Sequence, residues 1–229
     1  MLLFAIALSP GVALVWFLRA RAQPPGERLL LLGALFLLGG LAAGPALVLN
    51  HAIEKYTVLW PGASLLAHRI GFWMLGPGLN EEVIKLAVLL AVIWPRRAPL
   101  SPYQGLICAA SVAVGFAVVE NLFYLERFGT ATLLTRSLLT VPAHAFFTIP
   151  LGVLMGYARG TERSRDKFAL LLGGLVFAAV THGLYDVLLS LPGMWVNRMA
   201  YLQILLMGLA ILWALPRIPQ DAPVSEAAA

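Results

Sequence analysis

The chain has 229 residues, of which 60% are hydrophobic and only 12% charged, and its mean hydropathy is +0.86. A single core of this size cannot hide so much apolar surface from water, which excludes a soluble domain and leaves lipid as the solvent for much of the chain. The net charge of +5 makes no nucleic-acid patch, because the basic residues fall in short bursts between apolar runs; the lone Cys108 excludes an intrachain disulfide.

The sequence opens MLLFAIALSP with no basic residue ahead of the apolar stretch, which predicts a retained first span over 2–18 rather than a cleaved signal. Further apolar runs lie at 29–49, 79–94, 103–124, 133–157, 168–190 and 195–215. Each is close to the ~17–25 residues a crossing helix needs, apart from the short 79–94. Just before that run, residues 63–75 are apolar but carry His68 and Arg69, and they lead into Gly76-Pro77-Gly78. Proline between glycines predicts a helix break. Residues 63–75 are therefore read as an interfacial or re-entrant helix feeding the third span; as a crossing of their own they would make an eighth. The expected fold class is all-α, a polytopic transmembrane helix bundle of about seven spans. Residues 1–215 form one membrane-embedded domain, and the polar, Pro-containing 216–229 a disordered cytoplasmic tail.

Charge bias orients these spans. With the N-terminus outside, ten basic residues fall on the cytoplasmic side: Arg19, Arg21, Arg28, Arg96, Arg97, Arg159, Arg163, Arg165, Lys167 and Arg217. Only Lys55, Arg127 and Arg198 fall outside, a strong positive-inside asymmetry. Counting 63–75 as a crossing would invert every later loop and destroy it. The expected location is a cell membrane, with the C-terminus cytoplasmic.

Four apolar segments carry residues that are costly in lipid: Glu81, Glu82 and Lys85; Glu120 and Asn121; His144; and His182 with Asp186. A charged side chain at mid-bilayer costs about 2.5–3.5 kcal/mol even on lenient scales. At ~1.5 Å rise per residue, all four sets fall in one band between the midplane and the outer third. Phase agrees: Lys85 follows Glu81 and Glu82 at i+4 and i+3, and Asp186 lies one turn from His182. His144, Thr148, Gly152 and Gly156 form a stripe whose glycines permit close helix approach. Alone, each set has a structural reading, as an ion pair at a helix start or an interhelical hydrogen bond. Arg69 and Arg136 read as snorkelling residues near the outer surface. Together, the converging groups predict a functional polar site.

Carboxylates, two histidines and an amide suit hydrolysis by activated water. A buried glutamate can act as general base, while histidines or Asn121 stabilise the oxyanion. Two histidines with one or two glutamates are also a plausible zinc set, drawn from Glu82, Glu120, His144 and His182. The HExxH spacing is absent, so a metal would need ligands from three helices. Glutamic-type and metal-dependent mechanisms both stay open, with zinc the one candidate cofactor. No Ser–His or Cys–His arrangement and no GxGD-like aspartate pair is present.

The ordered set EExxK (Glu81, Glu82, Lys85), FxxxEN (Phe116, Glu120, Asn121), HAxxT (His144, Thr148) and HxxxD (His182, Asp186) resembles the PrsW family of membrane-embedded proteases. It covers about residues 76–190. A more distant similarity reaches the CAAX-processing and bacteriocin-processing proteases, which use EExxxR and FxxxH where this chain has a shorter spacing and Glu120. The resemblance implies cleavage of a peptide bond in a single-span membrane protein, of the class to which anti-sigma factors belong. It implies Glu81 and Glu82 as base and orienting partner, Glu120 as a second carboxylate, and His144 and His182 as oxyanion stabilisers or metal ligands. Lys85, Asn121 and Asp186 have supporting roles. The alternatives are a proton- or ion-coupled transporter, disfavoured because no paired broken helices occur in two halves, and a non-catalytic membrane scaffold.

Overall fold

The computed structural model describes residues 2–22, 29–58 and 60–221. The elements are α1 (Leu2–Ala20), α2 (Leu29–Val58), α3 (Leu65–Trp73), a π-helical stretch (Met74–Glu81), α4 (Glu82–Ile93), α5 (Pro102–Phe128), α6 (Thr130–Gly160), α7 (Ser164–Ser190) and α8 (Met194–Ala214). A 3-10 turn at Leu215–Arg217 follows. There is no strand among the described residues. By length and composition five segments can cross a membrane: Leu29–Val58, Pro102–Phe128, Thr130–Gly160, Ser164–Ser190 and Met194–Arg217; a shorter apolar helix spans Ala5–Ala20. Their outward faces carry bare apolar side chains such as Leu30, Leu41, Leu205 and Trp213, as a lipid-facing surface requires.

The α5–α6 hairpin is the centre of the bundle. Helix α5 starts at a capping box, in which Ser101 Oγ accepts from Gln104 N–H and the Gln104 side chain accepts from Ser101 N–H. It then runs through small and apolar residues, almost all buried as far as Val118. Gly129, at φ 82°, makes the turn into α6. The two helices approach so closely that a Cβ at Gly105 would strike the Gly152 carbonyl, and one at Gly152 the Gly105 carbonyl. The expected glycine stripe below His144 does serve close packing. Helix α2 flanks α5, α7 flanks α6, α1 lies across both, and α8 covers α6 and α7. The core joins Leu35, Leu89, Ile93, Tyr103, Leu106, Ile107 and Met155.

The proline does not break the third apolar run. Residues 65–93 form one uninterrupted helical path through the π-helical stretch that holds Pro77. In an α-helix, the Pro77 ring would collide with the carbonyl of Trp73 and leave a hydrogen bond unmade. The wider π turn absorbs both. Residues 63–75 thus lead directly into the segment expected to cross and are not set apart from it by a turn.

Helix ends extend beyond the apolar runs, most of all in α2, which continues past 49 to Val58. Polar residues past the hydrocarbon boundary hold helix without adding hydropathy. Part of the segment expected to be unstructured is seated on the bundle: Ile218 packs on the core, and Tyr103 N–H donates to the Pro219 carbonyl at 3.1 Å. Residues 222–229, the rest of that segment, lie outside the described residues.

Candidate functional site

The site is assembled where the π-helical stretch meets α7. Gly78 faces Gly183 so closely that a Cβ on Gly78 would lie 2.8 Å from the Gly183 Cα. This contact brings Glu81 and Glu82 beside His182, the residue next to Gly183. Helix α6 adds His144 and Thr148, α5 adds Glu120, and the imidazoles of His144 and His182 meet edge to face with centroids 4.8 Å apart. Phe147 stacks on His182 at 4.9 Å and fixes its ring plane.

The two adjacent glutamates have different surroundings. Glu82 is fully buried. Its Oε1 accepts from Lys85 Nζ at 2.7 Å and from His182 Nδ1 at 2.9 Å, and its Oε2 accepts from the Thr148 hydroxyl at 2.9 Å. Both oxygens are therefore committed. Glu81 accepts on Oε1 from Asn50 Nδ2 at 2.9 Å. Its Oε2 is buried with no hydrogen-bond partner; Lys85 Nζ and His182 Nε2 each stand 3.9 Å away. That oxygen is the one free carboxylate acceptor of the pair, and Glu81 lines a cavity of about 660 Å³.

Lys85 fixes the tautomer of His144. Lys85 Nζ has only protons to offer, so His144 Nδ1, at 3.0 Å, accepts. The proton of the neutral ring then sits on Nε2, which lies 3.0 Å from Glu120 Oε2 in ion-pair contact but outside hydrogen-bond geometry. At His182, Nδ1–H donates to Glu82 Oε1 at 2.9 Å, and Nε2 faces two carboxylates across the cavity wall, Asp186 Oδ2 at 3.4 Å and Glu81 Oε2 at 3.9 Å. A carboxylate holding one imidazole nitrogen so that the other can bind is the arrangement that orients a metal-ligating histidine.

Glu81, His144 and His182 are the described residues whose donor atoms converge, all within 4.8 Å of one another. They fit a metal: the orphaned Glu81 Oε2 and His182 Nε2 face the same space, and His144 joins by releasing one of its two partners. A Glu–His–His set with an open position is a zinc hydrolase composition. Glu82, expected among the ligands, is instead held by Lys85, His182 and Thr148. Glu120 stands at the next layer, shared between His144 and Arg136, whose Nη2 is 2.9 Å from Glu120 Oε2.

Asn121 turns away from the histidines. Its Oδ1 accepts from Arg136 Nε at 2.9 Å, its buried Nδ2 has no hydrogen-bond partner, and it stands outside the cavity lining where an oxyanion donor was expected. Arg136 does not snorkel; its guanidinium folds inward over the Tyr124 ring, 3.6 Å from the centroid, and lines the cavity. Arg69 also turns inward, donating to the Ser190 carbonyl at 2.8 Å at the end of α7. Asn50 was not anticipated. It ends the apolar part of α2, one residue past the expected span, and a lone amide there is a weak signal without its partner Asn80, whose Nδ2 donates to Asn50 Oδ1 at 2.7 Å.

Known proteins share this pattern. The family described as "PrsW family intramembrane metalloprotease" matches residues 27–215. Protease PrsW of Bacillus subtilis (strain 168) is 30% identical over 201 residues, covering 86% of this chain and 88% of that protein. Protease PrsW of Geobacillus kaustophilus (strain HTA426) is 29% identical over 220 residues, 96% of this chain and 92% of the relative. Protease PrsW of Shouchella clausii (strain KSM-K16) is 29% identical over 211 residues, 92% of this chain and 94% of the relative. No solved structure matches. With the family match spanning most of the apolar helices and every residue of the Glu–His cluster, the chain belongs to the PrsW family of intramembrane metalloproteases, multi-pass membrane hydrolases that act on peptide bonds in a lipid environment.

Proposed function

We propose that this chain cuts a single-span membrane protein, of the anti-sigma-factor kind, with a water activated at Glu81. The observation that carries the reading is the partnerless Glu81 Oε2 facing His182 Nε2 at the cavity wall. A general base needs a free lone pair within reach of a water, and Glu81 has one where Glu82 has none.

In this reading Glu81 takes a proton from water as its oxygen adds to the scissile carbonyl carbon. The His144 Nε2–H, now directed at Glu120, supports the oxyanion. Glu81 then returns the proton to the amide nitrogen as the C–N bond breaks, leaving a carboxylate and an amine. Glu82 serves as an organiser: it neutralises Lys85, holds His182 by Nδ1 and anchors Thr148. A zinc ion bound at the site would be held by Glu81, His144 and His182 and would lower the pKa of water and polarise the carbonyl, and Glu81 would then serve as a ligand in place of the base.

The topology we propose has seven crossings, with residues 65–93 as the third and the N-terminus outside. The positive-inside bias of the loops supports it. The relatives' bacterial sources support a bacterial plasma membrane. The test is cleavage of a panel of single-span substrates in proteoliposomes by wild type and Glu81→Gln. Cleavage by the wild type, and its loss in a folded Glu81→Gln variant, is the expected result; equal turnover by both would sink the proposal.

A further inference from the structure

The second layer of the site contains an arginine with no part in the reaction described above. Arg136 sits two turns before His144 on α6, and its head is gripped by three residues of α5. Nε donates to Asn121 Oδ1 at 2.9 Å, the guanidinium lies over Tyr124 at 3.6 Å, and Nη2 stands 2.9 Å from Glu120 Oε2. That same oxygen lies 3.0 Å from His144 Nε2. One carboxylate oxygen therefore stands between the guanidinium and the imidazole.

From this geometry we infer that Arg136, backed by Asn121 and Tyr124, is a positioning residue that acts on His144 through Glu120. The Glu120 side chain is 17% exposed and borders the cavity, so its carboxylate needs partners to fix which way it turns. The guanidinium charge does so: it is held by the Nε hydrogen bond to Asn121 and by the Tyr124 face, with Nη2 2.9 Å from Glu120 Oε2 in ion-pair contact. With Arg136 in place, Oε2 is held 3.0 Å from His144 Nε2; without it, Glu120 is free to rotate toward cavity water, and the imidazole loses the carboxylate that steadies its ring. A role as glue between α5 and α6 is weaker, because those helices already touch backbone to backbone at Gly105 and Gly152.

This inference rests on the proteolytic reading of the site, and a cleavage assay with Glu81→Gln as control keeps the two apart: loss of cleavage in that control upholds the reading whatever Arg136 does. Full-length Arg136→Ala in proteoliposomes is expected to lose about 10–100-fold in kcat, the usual cost of removing such an outer partner, with KM within about twofold. In a Glu120→Gln background the same change is expected to cost nothing further, since the residue through which it acts is already altered. The His144 imidazole 15N shifts are expected to move in Arg136→Ala and to return in part in Arg136→Lys. Should Arg136→Ala fail to fold, Asn121→Leu tests the same chain and is expected to slow kcat and shift the His144 signals in the same direction. Additive losses in the Glu120→Gln background, or His144 shifts unmoved in every variant that folds, would overturn the inference.

Discussion

Glu81 and Glu82 are adjacent in sequence, yet their replacement by glutamine should differ sharply in its cost to stability. Glu82 is buried, with Lys85 Nζ at 2.7 Å, His182 Nδ1 at 2.9 Å and Thr148 Oγ1 at 2.9 Å. A glutamine there can keep its carbonyl oxygen toward Lys85 and His182. Its amide can face Thr148, whose hydroxyl proton then goes wholly to the His144 carbonyl at 3.0 Å. The hydrogen bonds survive, but the charge does not. Lys85 is left as a buried cation whose nearest remaining carboxylate oxygen, Glu81 Oε2, is 3.9 Å away. Breaking a buried pair in this way costs about 3–5 kcal/mol.

Glu81→Gln keeps the Oε1 acceptor for Asn50 and places its amide toward the cavity, so its cost should be no more than about 1 kcal/mol. The assay is unfolding of both variants in mixed detergent micelles, followed by circular dichroism, alongside cleavage. Expected are two inactive proteins, of which only Glu82→Gln is markedly less stable. Wild-type stability in Glu82→Gln, or equal destabilisation of both, would refute the division of labour between them.

Metal stripping of the purified protein should abolish cleavage if Glu81, His144 and His182 hold zinc. Elemental analysis should then show about one equivalent in wild type and a deficit in His144→Ala and His182→Ala; full turnover by a metal-free preparation would remove that arm. Gly78→Val should abolish activity by prising the π-helical stretch from α7, since a Cβ at Gly78 lies 2.8 Å from the Gly183 Cα; wild-type rates would show that the close contact is dispensable. Arg159 caps α4 by donating to the carbonyls of Trp94 at 3.0 Å and Arg96 at 2.6 Å. Arg159→Ala should cost about 1–3 kcal/mol of stability with little change in kcat, and micelle unfolding against cleavage rates checks it.

The helical bundle, its apolar segments and the grouping of Glu81, Glu82, Glu120, His144 and His182 were legible in the sequence. Hydropathy and helical phase report directly on what faces lipid and what does not. The division between Glu81 and Glu82 was not, because spacing places Lys85 near both, and only the winding of the π-helical stretch turns Lys85 to 2.7 Å from Glu82 and 3.9 Å from Glu81. Pro77 read as a break for the same reason: a proline signals that an α-helix cannot continue, not that a wider helix will. Arg136 looked like a snorkelling residue near a span end, since nothing local shows that Asn121, Tyr124 and Glu120 lie across from it on another helix. Asn50 was lost where the apolar run stopped, although α2 itself did not.

The most direct test of the account is single-turnover cleavage of a reconstituted single-span substrate by wild type and Glu81→Gln at matched folded concentration. Cleavage by the wild type alone, with Glu81→Gln folded and still binding the substrate, is the expected result. A folded Glu81→Gln variant that cleaves at the wild-type rate would contradict the assignment of Glu81 as the group that activates water.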